Sequence, residues 1–329
     1  MVWVTIARCR QGNSGPSPPA HLPEGCRRPD QCNGKGAIAS RMGGMSDTFS
    51  SVDDSRERLA GTGYLASDAI ATTVYLAAAL GRPILVEGPA GVGKTALAKA
   101  MATATGRDLV RLQCYEGVDE ARALYEWNHA KQLLRITAEK DADWEHVRTD
   151  VFGEEFLLER PLLKAVRSDA PVVLLVDELD KADEEMEGLL LELLSDFQVT
   201  IPELGTIAAR HHPLVVVTSN ATRELSEALR RRCLFLHIDY PSAELEQRIV
   251  ELHAPGVNEA TRASLVRVVR ALREGNLRKP PSVSETVDWA RTLLSLGADE
   301  LDAEFVEATL GVLLKHQDDI ESARTALKL

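Results

Sequence analysis

The octapeptide Gly88-Pro89-Ala90-Gly91-Val92-Gly93-Lys94-Thr95 matches the pattern G-x-x-x-x-G-K-[ST]. Glycines at these places let backbone N–H groups curl around phosphate oxygens, which a Cβ would obstruct. A lysine at the seventh position reaches β- and γ-phosphates, and the Thr95 hydroxyl is placed to ligate Mg²⁺. The helix expected after Gly93 adds its positive end to the anion site. Asp177 and Glu178 end the apolar run VVLLV. A buried strand that stops at two carboxylates is costly unless cations or water meet them. Downstream of a phosphate loop, Asp177 suits Mg²⁺ held through water, and Glu178 suits polarising the attacking water. Asn220 ends the next apolar run, VVVTSN, where its amide can orient that same water. Arg230, Arg231 and Arg232 precede LFLHI. Such a run is a solvated face, or in an oligomer it carries an arginine to a neighbour's γ-phosphate, worth about 10³–10⁵ in rate. Asp180 fits a helix start or an intersubunit contact equally well.

Weaker constellations surround these. Cys9, His21, Cys26 and Cys32 fit no familiar zinc spacing. His211-His212 suits a hairpin surface, and Cys114 and Cys233 suit small core residues. The acidic 139–155 segment suits a solvated loop, with contact to a basic client as the alternative.

The elements that must position the candidate residues alternate. LASDAIATTVYLAAAL predicts a helix capped by Ser67 or Asp68 and stopped at Gly81, where ordered structure is expected to begin near Tyr64. RPILVEG, DLVRLQC, PVVLLVDE, PLVVVTSN and LFLHIDY predict five strands. Between them lie a helix from Lys94 to Gly106, a helix over FLLERPLLKAVRS, and one with apolar residues from Met186 to Phe197 at helical spacing. Residues 116–153 predict a short helix near 119–125 and a small hairpin near LLRI. FQVTIPELGTI predicts a hairpin turned at Pro202–Gly205. Strands alternating with helices imply a parallel sheet covered on both faces. Beyond Pro241 only helical periods occur. The expectation is an α/β fold, a P-loop NTPase αβα sandwich with a five-stranded parallel sheet over 46–240, then an α-helical domain over 241–329.

Composition bounds the function classes. The 329 residues carry 38 Lys+Arg against 50 Asp+Glu, a net charge of −12, which disfavours non-specific nucleic-acid binding. No apolar run is long enough for a membrane span. Residues 1–45 hold six basic and two acidic residues and read as a disordered tail or an over-long gene start, with Met42 or Met45 as the true beginning. Five cysteines with none in a tight motif suit a reducing compartment.

The order Gly88–Thr95, Asp177-Glu178, Asn220, then arginines before LFLHI resembles that of AAA+ ATPases: Walker A, Walker B, sensor 1, arginine finger, helical lid. The segments DFQVTIPELGTI and FLLERPLLKAV resemble the MoxR branch, most closely the ATPases associated with carbon monoxide dehydrogenase and related molybdenum hydroxylases. The resemblance implies ATP and Mg²⁺ as cofactors, with Arg232 at the finger position and Arg231 its nearest rival. It also implies a homo-oligomer, a hexameric ring that remodels a protein client such as a metalloenzyme, and a partner with a von Willebrand factor A domain. The implied location is cytoplasmic, free or docked at the inner membrane surface. One position departs: Ser284 stands where the family's lid carries a sensor 2 arginine, so either Arg278 or Lys279 substitutes from one turn away or nucleotide sensing by the lid is weaker. A nucleic-acid motor of the same fold is the alternative, for which Lys131 and Arg135 flank a candidate loop. A scaffold that binds nucleotide without hydrolysing it is disfavoured by Glu178 and Asn220.

Overall fold

The computed structural model describes residues 48–138, 151–298 and 300–327. Expectations for residues 1–45 and for the acidic stretch 139–150 lie outside the described residues. Five parallel strands form the sheet: β1 (Ile84–Glu87), β2 (Asp108–Gln113), β5 (Val172–Asp177), β8 (Leu214–Ser219) and β9 (Leu234–His237), in the spatial order β2-β5-β8-β1-β9. β1, β5 and β8 lie inside the sheet and are buried at every position. Burial on both faces is why their sequences are unbroken apolar runs and not alternating ones.

Helices cover both faces. α1 (Val52–Gly61), α2 (Asp68–Leu80) and α3 (Lys94–Thr105) pack with one face of the sheet, where Leu59, Val74, Leu97 and Met101 meet Ile84, Val86, Val173 and Val216. On the other face lie α4 (Glu120–Ala123), α6 (Pro161–Arg167), α7 (Glu184–Asp196) and α8 (Glu227–Arg232), with Leu162, Leu190 and Leu229 against Leu85, Leu174 and Val217. Local sequence sets the boundaries. α2 starts where Ser67 accepts the Ile70 N–H, and stops at Gly81 in the left-handed region. Asp183 caps α7, whose first turn carries three glutamates. β6 (Gln198–Ile201) and β7 (Gly205–Ala208) form the expected hairpin.

Several local expectations are corrected. Order begins before Tyr64, because α1 is capped by Ser51 and pinned where Ser55 donates to the Ala71 carbonyl at 2.9 Å. LLRI is not a hairpin but lies in α5 (His129–Ala138). Of the segment FLLE, Phe156 ends a single 3-10 turn and the rest is not helical. Leu157–Glu159 form β4, which pairs antiparallel with β3 (Tyr125–Trp127), and Pro161 begins α6 at its first position, where a missing N–H costs nothing.

The described residues of 243–327 fold as five helices, α9 (Ala243–His253), α10 (Glu259–Glu274), α11 (Val283–Ser295), α12 (Ala303–Leu313) and α13 (Gln317–Leu327), around their own core at Val250, Leu265, Val269, Trp289 and Leu310. A buried ion pair joins three of them. Arg273 holds Glu246 through two bonds of 2.7 Å, Thr286 donates to Glu246 at 2.8 Å, and Glu246 is fully buried. Arg273 also donates to the Pro281 carbonyl and lies 4.4 Å from the Tyr240 ring centroid. Removing one partner of such a pair strands a buried charge, so Arg273→Ala is expected to cost about 3–5 kcal/mol in a urea melt. The apolar double replacement Glu246→Leu/Arg273→Met should cost less than that single change; a larger cost would show the pair to be stabilising in itself.

Candidate active site

Strand register brings the candidate residues together. Gln113 pairs with Asp177, Val176 with Val217, and Glu87 with Ser219. Four strands therefore end within one residue of one another, and the residues that follow them emerge at one edge: Gly88, Cys114, Glu178 and Asn220.

The loop after β1 fits phosphate. Gly88, Gly91 and Gly93 all have positive φ, and a Cβ on Gly88 would sit 1.9 Å from the Ile238 carbonyl oxygen. Gly93 begins α3 without a side-chain cap, so the first N–H groups of a twelve-residue helix are left for an anion. Lys94 is buried, and its ammonium donates to the carbonyls of Gly88 (2.6 Å) and Pro89 (2.6 Å) and to Asn220 Oδ1 (2.8 Å). Burial pulls the Lys94 pKa down, and the charges of Asp180, Asp177 and Glu178 oppose that shift.

Thr95 and Asp177 meet directly: the Thr95 hydroxyl donates to Asp177 Oδ1 at 2.9 Å. Asp177 is 2% exposed, and the Thr218 hydroxyl donates to the same oxygen at 2.6 Å. Arg111 donates to Oδ2 from Nε at 3.1 Å and from its terminal nitrogen at 2.6 Å. A hydroxyl beside a buried carboxylate is the oxygen-donor chemistry Mg²⁺ takes, so Thr95 and Asp177 fit the ion.

Glu178 turns away from the strand in the left-handed region, at φ 57°. Its N–H donates to Thr218, and its Oε2 accepts from Gln113 at 2.9 Å and Lys181 at 2.6 Å. Arg111, Gln113, Thr218 and Lys181 were not singled out from sequence. The two-residue spacing of Arg111 and Gln113 puts both on one face of β2, the signal that could have found that pair.

A cavity of about 690 Å³ opens beside the phosphate loop, within the range of small-ligand sites. Tyr64 and Ile70 line it from one side, Gly91 and Gly93 from the loop, Tyr240 from the end of the sheet domain, and Val287 from α11. Ser282 caps α11 and abuts Gly91, where a Cβ would lie 2.3 Å from Ser282 Cβ. Ser284 lines the cavity, but neither Arg278 nor Lys279 does. Their N–H groups are tied to the buried Asp319, at 2.7 and 3.1 Å. The arginine of α11 that lines the cavity is Arg291, seven residues beyond Ser284 and on the same helix face.

The three consecutive arginines separate. Arg230 turns inward to Glu87, at 2.9 and 3.0 Å. The backbone of Arg231 and Arg232 sits where β1 begins, because Arg82 donates to their carbonyls at 2.8 and 3.4 Å. Gly88 lies past the other end of β1, about 13 Å away by strand rise. Arg231 is exposed and pairs with Glu227, while Arg232 is half-buried and held by Ser195 and the Ala228 carbonyl. The structure therefore does not bring Arg231 or Arg232 to Lys94 within one chain.

A parallel sheet with this loop at its carboxyl edge defines a P-loop nucleotide-binding protein. Residues 84–240 match the model of the ATPase family associated with various cellular activities (AAA). Relatives include midasin of Dictyostelium discoideum, 32% identical over 174 residues, which are 50% of this chain and 3% of midasin. Protein CbbQ of Hydrogenophilus thermoluteolus is 26% identical over 204 residues, covering 60% of this chain and 66% of that one. Gas vesicle ATPase GvpN of Haloferax mediterranei is 27% identical over 210 residues, covering 59% and 57%. The chain spans less than two thirds of each. The chain therefore carries an AAA domain over residues 84–240.

Proposed function

We propose that this chain binds ATP with Mg²⁺ and hydrolyses it, and that hydrolysis drives chaperone-like remodelling of a protein client. The observation that carries this is the convergence of Lys94, Thr95, Asp177, Glu178 and Asn220 on one sheet edge. Gly88 to Thr95 would cradle the phosphates, and Thr95 and Asp177 would hold Mg²⁺, which neutralises charge on the phosphoryl oxygens. Glu178 accepts the proton of the attacking water and Asn220 fixes that water's direction. Arg232, at the far end of β1, serves a neighbouring subunit's site, which makes a homo-oligomeric ring, hexameric by family resemblance, part of the reading. The likeness to ATPases that serve molybdenum hydroxylases supports metal-centre maturation as the work, with a von Willebrand factor A-domain protein as adaptor.

A nucleic-acid motor fits less well. Lys131 is engaged by Glu155, through the carbonyl at 2.8 Å and the carboxylate at 3.3 Å, and stands over the Phe156 ring. The test is phosphate release by the purified chain with ATP and Mg²⁺, with and without DNA. Hydrolysis indifferent to DNA supports the proposal. Salt-sensitive stimulation by DNA would favour the motor, and no hydrolysis would leave a nucleotide-binding scaffold. Affinity capture on the Glu178→Gln form with ATP then names the client.

A further inference from the structure

Asp180 carries a buried carboxylate, 4% exposed, that none of the chemistry above uses. Its Oδ2 accepts two bonds from Thr222, from the N–H at 3.1 Å and from the hydroxyl at 2.6 Å. Burial works against this carboxylate's charge, yet the bonds from Thr222 and from the backbone of Asn220 hold it below the usual range. Its Oδ1 is buried without a partner among the described residues.

The clamp spans two chain reversals made without glycine. Glu178 lies at φ 57° and Ala221 at φ 56°, conformations that persist only where surrounding bonds hold them. Ala221 sits between Asn220 and Thr222, so tying down Thr222 fixes the reversal that aims the Asn220 side chain. On the opposite side Lys94 donates to the Asn220 amide oxygen at 2.8 Å. All three ammonium hydrogens of Lys94 are already used, by two loop carbonyls and Asn220. To reach a phosphate Lys94 must change partners, and the Asn220 turn then depends on the Asp180–Thr222 bonds and on Ser219 Oγ, which accepts from the Ala221 N–H at 2.9 Å.

We propose that Asp180 is a positioning residue: through Thr222 it fixes the Ala221 reversal and holds the Asn220 amide in place while Lys94 changes partners. This rests on the reading of the site as one that hydrolyses ATP. A charge acting on Lys94 would make the same carboxylate matter for nucleotide affinity, so the two roles separate by experiment.

The test compares Asp180→Ala, Asp180→Asn and Thr222→Val. Asp180→Ala should lose about 10- to 100-fold in kcat with KM nearly unchanged, the signature of a lost transition-state arrangement. Asp180→Asn keeps an oxygen that accepts from Thr222 and should retain kcat within about threefold. Thr222→Val should lower kcat alone, and adding it to Asp180→Ala should cost nothing further, because both changes cut one link. A loss in Asp180→Asn equal to that in Asp180→Ala, a shared rise in KM, or additive losses would each overturn the proposal. Should Asp180→Ala not fold, Thr222→Val decides by itself: reduced kcat supports positioning, and wild-type kcat ends it. Amide exchange over residues 219–223 of the nucleotide-bound protein gives an arm independent of turnover. Faster exchange in Asp180→Ala but not in Asp180→Asn supports the clamp, and unchanged exchange in both overturns it. A wild-type protein without ATPase activity would refute the hydrolysis reading and leave that exchange result standing.

Discussion

A Glu178→Gln variant binds ATP as the wild type does and loses about 10²- to 10⁴-fold in turnover, the usual worth of a general base. The substitution keeps the side chain's shape and an oxygen able to accept from Gln113 and Lys181. It leaves untouched the main-chain bond from Glu178 N–H to Thr218. The Lys94 cradle and the Thr95–Asp177 pair are likewise unchanged, so nucleotide and metal keep their ligands. Only the capacity to take a proton from water disappears. Titration with a fluorescent ATP analogue and phosphate release measured on the same preparation separate binding from chemistry. A nucleotide that stays intact should also hold subunits together, visible as a larger species by light scattering with ATP than with ADP. Wild-type hydrolysis in this variant would remove Glu178 from the mechanism.

Much of this site was legible in the sequence because strand ends are easy to see. β1, β5 and β8 open on unbroken apolar runs that close on polar residues, and the residue after each strand marks where the chain leaves the sheet: Gly88 after Glu87, Glu178 after Asp177, Asn220 after Ser219. Parallel strands in a common register must put those exits at one edge. What the sequence hid were polar residues inside strands. Thr218 and Gln113 read as interruptions of an apolar pattern, and only the register Gln113↔Asp177 and Val176↔Val217 shows what they face. Arg291 was missed for a different reason. Alignment to a motif searches near the expected position, whereas a helix repeats its face seven residues later. α1 was missed because few of its residues are buried, so no strong apolar period marks it; α5 does carry Ala130, Leu133 and Leu134 at helical spacing, which the short run LLRI read alone conceals. The arginine run was ambiguous in sequence, and the fold resolves one member: Arg230 is engaged by Glu87 and packed over Phe235, which leaves Arg231 and Arg232.

Arg232→Ala is the second large loss expected, about 10³- to 10⁵-fold in kcat if the arginine completes a neighbour's site. Parallel strand geometry puts Arg232 and Gly88 at opposite ends of β1, so the loss cannot come from the chain's own phosphate loop. Arg232 is also better prepared than Arg231. Ser195 and the Ala228 carbonyl fix its guanidinium, whereas the Arg231 side chain is 80% exposed and pairs with a surface glutamate four residues away. An ordered side chain gives up less entropy when it engages a phosphate. The decisive measurement mixes two inactive proteins. Arg232→Ala subunits keep Glu178 but lack the finger, and Glu178→Gln subunits keep the finger but lack the base. Where the two lie side by side in the right order, one intact site forms between them, so the mixture should hydrolyse ATP although neither protein does alone. Activity should rise with the number of such junctions and vanish when subunit exchange is blocked by crosslinking before mixing. No recovery, together with a comparable loss in Arg231→Ala, would move the role to Arg231. Full activity of Arg232→Ala at dilutions where the protein is monomeric would remove the finger from the mechanism.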